Sequence, residues 1–177
     1  MAMNLNRFFQ PAILPLLILP LISCIAGGSG ESKVENRVNV GDTIPHFMAY
    51  GLDSVWDSND IDGCRTVIAL ISTTCPDCAR ELPKVEAVWK ALQLTPNFKM
   101  AVISRDDRGE NAKQYWEDHH FSMPFYGDPD RKIFELFANS YVPRIYLVNT
   151  QKKVEWMAVE SFDVDAQGLI ALVESLH

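Results

Sequence analysis

The sequence predicts a single α/β domain in which a central mixed β-sheet is flanked by helices. Three observations carry this. Thr66-Val67-Ile68-Ala69-Leu70-Ile71 is almost wholly apolar, the pattern of a strand buried on both faces of a parallel sheet. Leu82, Val85, Val88, Trp89 and Leu92 recur at three- and four-residue spacing, which gives a helix one apolar stripe. Arg144–Val148 and Val154–Val159 are two apolar runs joined by the turn-forming stretch Asn149–Lys153, the pattern of an antiparallel hairpin.

In chain order, Val40-Gly41-Asp42 opens the domain and Pro45–Tyr50 reads as an edge strand, where a proline is tolerated. Ser54–Asp57, around Trp56, is expected to pair with it as an N-terminal extension hairpin. The buried strand and the striped helix follow, ended by Pro96-Asn97. Phe98–Ser104 is the next strand, and a polar helix runs from about Arg108 to His120. Met123–Tyr126 is expected as a strand, Gly127-Asp128-Pro129-Asp130 as a turn and Ile133–Ala138 as a short helix. After the hairpin, Val164–Leu176 is amphipathic and closes the domain.

Composition bounds the function. With 16 Lys and Arg against 23 Asp and Glu, the chain of 177 residues carries a formal charge of −7, which argues against a nucleic-acid partner. Its 47% hydrophobic and 22% charged content is ordinary for one globular domain. Four cysteines, at 24, 64, 75 and 78, are too few for a fold built on disulfides.

Residues 1–23 read as an export signal rather than as part of the fold. Arg7 is the only charged side chain before Glu31, and Pro11–Ile22 is uninterruptedly apolar. Twelve helical residues would reach about 18 Å, short of the ~30 Å hydrocarbon core, and Pro15 and Pro20 would break a spanning helix. Leu21-Ile22-Ser23-Cys24 resembles the lipobox of bacterial lipoproteins, which implies a lipid on Cys24 and a membrane anchor; an ordinary leader with a coincidental cysteine is the alternative. Ile25 in place of Asp favours the outer membrane over the inner. Residues 24–39, with Gly27-Gly28-Ser29-Gly30, read as a flexible tether, and 40–177 as the domain.

The chemistry lies in Cys75-Pro76-Asp77-Cys78. Two cysteines separated by two residues stand where a buried strand passes into a helix. Cys75 at the helix N-cap faces unpaired N–H groups and the positive end of the dipole, which favour a thiolate. Pro76 at the next position gives up an N–H that the helix does not use. Cys78, one turn in, is close enough to close a disulfide. Cys75 is therefore the nucleophile and Cys78 the resolving thiol. Half a zinc site and an inert structural disulfide are the other readings, but no second CxxC or spaced His pair supplies further ligands. No metal and no cofactor is called for; the Cys75–Cys78 couple is itself the redox centre.

With these residues in place, the chain resembles the TlpA/ResA-like branch of extracytoplasmic thiol-disulfide oxidoreductases, which have the thioredoxin-like fold. The resemblance runs from about Val40 to Leu176. It is carried by Val40-Gly41-Asp42, Pro45 and Phe47, by Cys75-Pro76-Asp77-Cys78-Ala79-Arg80-Glu81-Leu82-Pro83, and by Gly127-Asp128-Pro129-Asp130. It is carried also by Val142-Pro143-Arg144-Ile145-Tyr146-Leu147 and the Asn149 hairpin. The resemblance implies that Pro143 is the cis-proline lying against the cysteines. Val142 would then offer its backbone to an extended substrate segment, with Thr74 and Pro76 completing the substrate-binding surface. Glu81, three residues after Cys78, matches the acid that could relay a proton as Cys78 attacks.

Three departures modify that picture. Thr74 stands where the family often has Trp. Pro76 precedes Asp77, whereas the family often places proline immediately before the second cysteine. Asp77 next to Cys75 works against a thiolate and points to a reducing enzyme rather than a strong oxidant. Ala69 occupies the position of a buried Asp in cytoplasmic thioredoxins, which agrees with Glu81 as the alternative acid. Cys64 reads as a structural thiol, with a second redox partner or an intermolecular disulfide as the alternative; Asp106-Asp107 reads as a loop flanking a helix start and His119-His120 as a solvated helix end.

The expected function is an envelope enzyme, anchored in the membrane and facing the periplasm, that reduces disulfides of extracytoplasmic proteins and is re-reduced by a membrane thiol donor. Two alternatives stand beside it. Ser72-x-x-Cys75-Pro76 partly resembles the peroxiredoxin motif, though Ile68 occupies the position of its preceding proline. A non-enzymatic thioredoxin-like binding module is the other.

Overall fold

The computed structural model describes residues 35–107 and 110–177. The chain divides into two units, 1–32 and 33–177, and all described residues belong to the second. The leader 1–23, Cys24 and the glycine-rich stretch after it lie outside the described residues. The elements are β1 (Met48–Tyr50), β2 (Val55–Asp57), a 3₁₀ turn (Ser58–Ile61), β3 (Arg65–Ile71), α1 (Pro76–Leu92), β4 (Phe98–Arg105), α2 (Glu110–Asp118), β5 (Phe125–Asp128), α3 (Lys132–Phe137), β6 (Arg144–Val148), β7 (Val154–Val159) and α4 (Ala166–Glu174).

One seven-stranded mixed sheet runs in the order β2-β1-β5-β4-β3-β6-β7. β3, β4 and β5 are parallel, and the remaining pairs are antiparallel. β3 lies between β4 and β6, and Val67–Ile71 are each at most 1% exposed, as the continuous apolar run requires. The β1–β2 hairpin is the expected extension and joins the sheet through Tyr50 opposite Gly127. In α1, Leu82, Val85, Val88 and Leu92 are buried, while Trp89 packs at the rim against Phe98, with ring centroids 6.4 Å apart. α1 packs beside α4, and α4 reaches β3.

Several boundaries differ from expectation for identifiable reasons. Gly127 and Asp128 belong to β5 rather than to a turn, because they continue the ladder opposite Ser104 and Arg105 of β4. The Asp128 carboxylate then accepts from the N–H groups of Ile133 (3.1 Å) and Phe134 (2.8 Å) and so caps α3 from a distance. The last helix begins at Ala166, not Val164, because Asp165 is its N-cap and accepts from Gly168 N–H at 2.8 Å.

The tether drawn to residue 39 is also too long. Val38 is 4% exposed, and the N–H groups of Arg37 and Val38 donate to the Phe137 carbonyl at 2.8 and 3.2 Å. Asn36 bridges to Ala138. The folded unit therefore already includes Glu35–Asn39. The short-range composition of these residues is mostly polar, and distant partners, the 137–139 segment and Arg144 among them, hold them in place.

Candidate active site

β3 ends at Ile71 and the chain turns through Ser72-Thr73-Thr74 into α1. Cys75 is the N-cap, with φ −91° and ψ 119°, and its sulfur accepts from the Cys78 N–H at 3.5 Å. Pro76 follows as the first helical residue. Both thiols are free, with Cys75 partly exposed and Cys78 fully buried. The Cys78 sulfur lies 3.4 Å from the N–H of Ser72, which donates to it. Burial pushes the Cys78 thiol well above its ordinary range; the Ser72 N–H opposes this and neighbouring Cys75 adds to it. One sulfur is thus presented to solvent and the other held back as a neutral thiol.

Facing them is the loop before β6. The Val142–Pro143 peptide is cis, and the Cys75 thiol donates to the Val142 carbonyl at 3.4 Å. Residues far apart in sequence therefore meet at one point: Cys75, Cys78, Pro76, Val142 and Pro143. Thr74 adjoins this group, its hydroxyl 3.1 Å from that of Ser72.

Asp77 and Glu81 are placed differently. Asp77 is partly exposed and accepts from Arg80 Nη1 at 2.8 Å, so its charge beside Cys75 is partly offset. Glu81 is 2% exposed, on the same helix one turn beyond Cys78. Its carboxylate accepts from Lys84 Nζ at 2.8 Å, Arg80 Nε at 3.3 Å and the Phe162 N–H at 3.3 Å. It ties α1 to the segment entering α4.

Some residues at this end of the sheet were missed by sequence reasoning. Asp107, read as part of a loop flanking a helix start, is 7% exposed. Its Oδ2 accepts from the hydroxyls of Thr73 (2.8 Å) and Ser104, fastening the loop into Cys75 to the end of β4. Arg105 lies over the Phe134 ring, 4.7 Å from its centroid, and its charge favours the ionised form of Cys78. Burial pulls its guanidinium below the ordinary value, with Arg131 acting in the same direction. The signal available was the parallel pairing of the two apolar strands, which sets Ile71 opposite Ser104. Cys64, by contrast, is a buried free thiol at the entry to β3, as expected.

A central strand that delivers two vicinal cysteines to a helix N-terminus, with a cis-proline loop facing them, defines the thioredoxin-like fold class. Within it, the chain belongs to the AhpC/TSA family, whose model matches residues 40–157. No curated protein sequence matches the chain. Among solved structures it is similar to a candidate protein disulfide isomerase from Bacteroides thetaiotaomicron, at TM-score 0.76 and 18% identity, covering 81% of this chain and 92% of that one. A thiol:disulfide interchange protein of the thioredoxin family from Chlorobium tepidum TLS gives TM-score 0.66 and 16% identity over 78% and 97% of the two chains. A secreted Mycobacterium tuberculosis disulfide oxidoreductase, described as homologous to E. coli DsbE, gives 0.63 and 16% over 73% and 96%. At these identities the likeness is one of fold.

Proposed function

We propose that the protein is a thiol-disulfide oxidoreductase that reduces disulfides of extracytoplasmic proteins. The observation that carries this is the asymmetry of the two thiols: Cys75 is accessible and caps α1, while Cys78 is buried one turn behind it. The names of the structural neighbours, thiol:disulfide interchange protein and disulfide oxidoreductase among them, support the same class.

Cys75, as the thiolate, attacks one sulfur of a partner disulfide. The partner's S–S bond breaks, a Cys75–partner bond forms, and the other partner sulfur leaves as a thiolate that takes a proton. Cys78 then loses its proton and attacks the Cys75 sulfur. That step releases the second partner thiol and leaves the Cys75–Cys78 disulfide, so two electrons have passed to the partner. Because Cys78 is held as a thiol, its proton needs an acceptor, and Glu81, buried one turn further along α1, is the candidate. Val142 and Pro143, with Thr74 and Pro76, form the surface on which an extended segment of the partner lies.

Turnover of insulin disulfides tests the reading: the protein with a chemical reductant should precipitate reduced insulin, and Cys78→Ala should accumulate mixed disulfides instead. Peroxide consumption without any disulfide substrate would favour the peroxidase alternative. Full function of Cys75→Ala would leave only the binding module.

Location belongs to the same proposal. The apolar leader and the Leu21–Cys24 pattern support export, lipidation of Cys24 and display on the periplasmic side, with the outer membrane favoured and a membrane thiol donor closing the cycle. Labelled palmitate incorporated into the full chain, and its loss in Cys24→Ala, would establish the anchor.

A further inference from the structure

The loop that meets Cys75 is held by an unusual device. Arg144, immediately after Pro143, is 0% exposed, and among the described residues no carboxylate pairs with it. Its guanidinium turns back onto the loop instead. Nε donates to the carbonyls of Ser140 and Tyr141, each at 3.0 Å, and Nη2 donates to Ser140 again at 2.6 Å. Nη1 donates to Oδ1 of Asn36 at 2.8 Å. A planar fork of N–H donors suits this task, since carbonyls and an amide oxygen converge on it from different directions.

Asn36 is in turn fixed against the same region. It bridges to Ala138, while the Glu35 N–H donates to Asn139 Oδ1 at 2.9 Å and the Asn139 N–H to the Glu35 carbonyl at 3.3 Å. The result is a stack: residues 35–38, then the 137–141 segment, then Val142, whose carbonyl receives the Cys75 thiol. Tyr141 sits in this stack with φ +61°, a left-handed conformation that a tyrosine leaves readily unless held, and the residue is 46% exposed.

We propose that Arg144 and Asn36 are positioning residues that hold the Ser140–Val142 main chain in register with Cys75, so that the first residues of the folded unit govern how the site receives an extended substrate segment. This rests on the thiol-exchange reading for its catalytic consequence. The buried cation compensates for lacking a carboxylate by collecting the loop's own carbonyls, so neither can move without unpairing the other.

The test uses Asn36→Ala, whose exposed site leaves the core intact, and Arg144→Gln beside it. Loss of one hydrogen bond to a charged group should speed amide hydrogen exchange about tenfold at Arg37, Val38 and Asn139, whose N–H groups donate across the stack, with β3 and β4 unchanged. The same variant should raise KM for insulin about tenfold. Its kcat, and the attack of Cys75 on the small disulfide 5,5′-dithiobis(2-nitrobenzoic acid), should change less than about twofold, because that disulfide needs no main-chain pairing. Unchanged exchange at these three amides, or exchange raised equally in β3 and β4, overturns the proposal. Faster exchange there with an unchanged insulin KM overturns its claim on substrate. If the parent protein reduces neither disulfide, the thiol-exchange reading fails, and the exchange comparison still decides whether Asn36 and Arg144 hold the loop.

Discussion

The first turn of α1 and the rest of the same helix follow opposite rules. In the first turn, Cys75 is partly exposed and its sulfur's contacts are long, 3.4 and 3.5 Å, while Asp77 and Arg80 pair at the surface. Further along, Glu86 is 5% exposed, and its carboxylate accepts from the Ser122 N–H, the Ser122 hydroxyl at 2.7 Å and the Met123 N–H at 3.0 Å. Loosely held groups remain available for bond exchange, whereas fully paired ones fix neighbouring segments. Glu81 sits at the junction and shares both characters: it fastens Phe162, and it stands one turn from Cys78.

That division can be broken or sharpened by substitution. The largest effect is expected from Cys75→Ser, which should lower insulin reduction by more than about a thousandfold while leaving the denaturation midpoint nearly unchanged. A large loss of stability would erase the distinction. Glu81→Gln comes next. If it relays the Cys78 proton, stopped-flow traces should show release from the mixed disulfide slowed roughly a hundredfold, with the first attack intact. Unchanged release assigns Glu81 wholly to structure.

Glu86→Ala is the converse case, costing about 2–3 kcal/mol in urea denaturation because charge-assisted bonds to Ser122 and Met123 are lost. Reductase activity per folded molecule should stay at the parent value. Smaller again is a linkage effect at Cys78. Its folded-state thiol titrates above the unfolded value of about 9.0, so the native state keeps a proton that the unfolded chain releases. Stability from this group is intact below about pH 9 and declines above it, by up to about 1.4 kcal/mol per pH unit. Cys78→Ala should therefore show a flatter alkaline decline in calorimetry. The smallest change belongs to Asp77→Asn: no measurable shift in Tm, since the pair with Arg80 is exposed, and a slight acceleration of Cys75 alkylation.

Local signals made much of this legible. The β6–β7 hairpin falls at Arg144–Val148 and Val154–Val159 as expected, because both runs are apolar and the intervening turn is short. The cysteine pair was readable because strand, N-cap, N1 proline and helix are contiguous. What escaped depends on distant partners. Asp128 looks like a turn residue until Ile133 and Phe134 present their N–H groups to it. Asp107 looks like a loop residue until β3 and β4 end side by side, and Asn36 looks like linker until Arg144 reaches it. The pairing of strands is set by the whole sheet, and no window of sequence contains it.

The position of β3 between β4 and β6 also fixes an order of assembly. The β3–α1–β4 unit is contiguous in the chain, so all of it has been synthesised before β6 exists. β6 arrives only after α2, β5 and α3 have been made. A chain emerging from its N-terminus therefore carries both thiols before Val142 exists to meet them. For that interval the nucleophile is uncovered, and the protein's own cysteines are the nearest reaction partners. The site is complete only when β6 has paired with β3 and brought Val142 to Cys75.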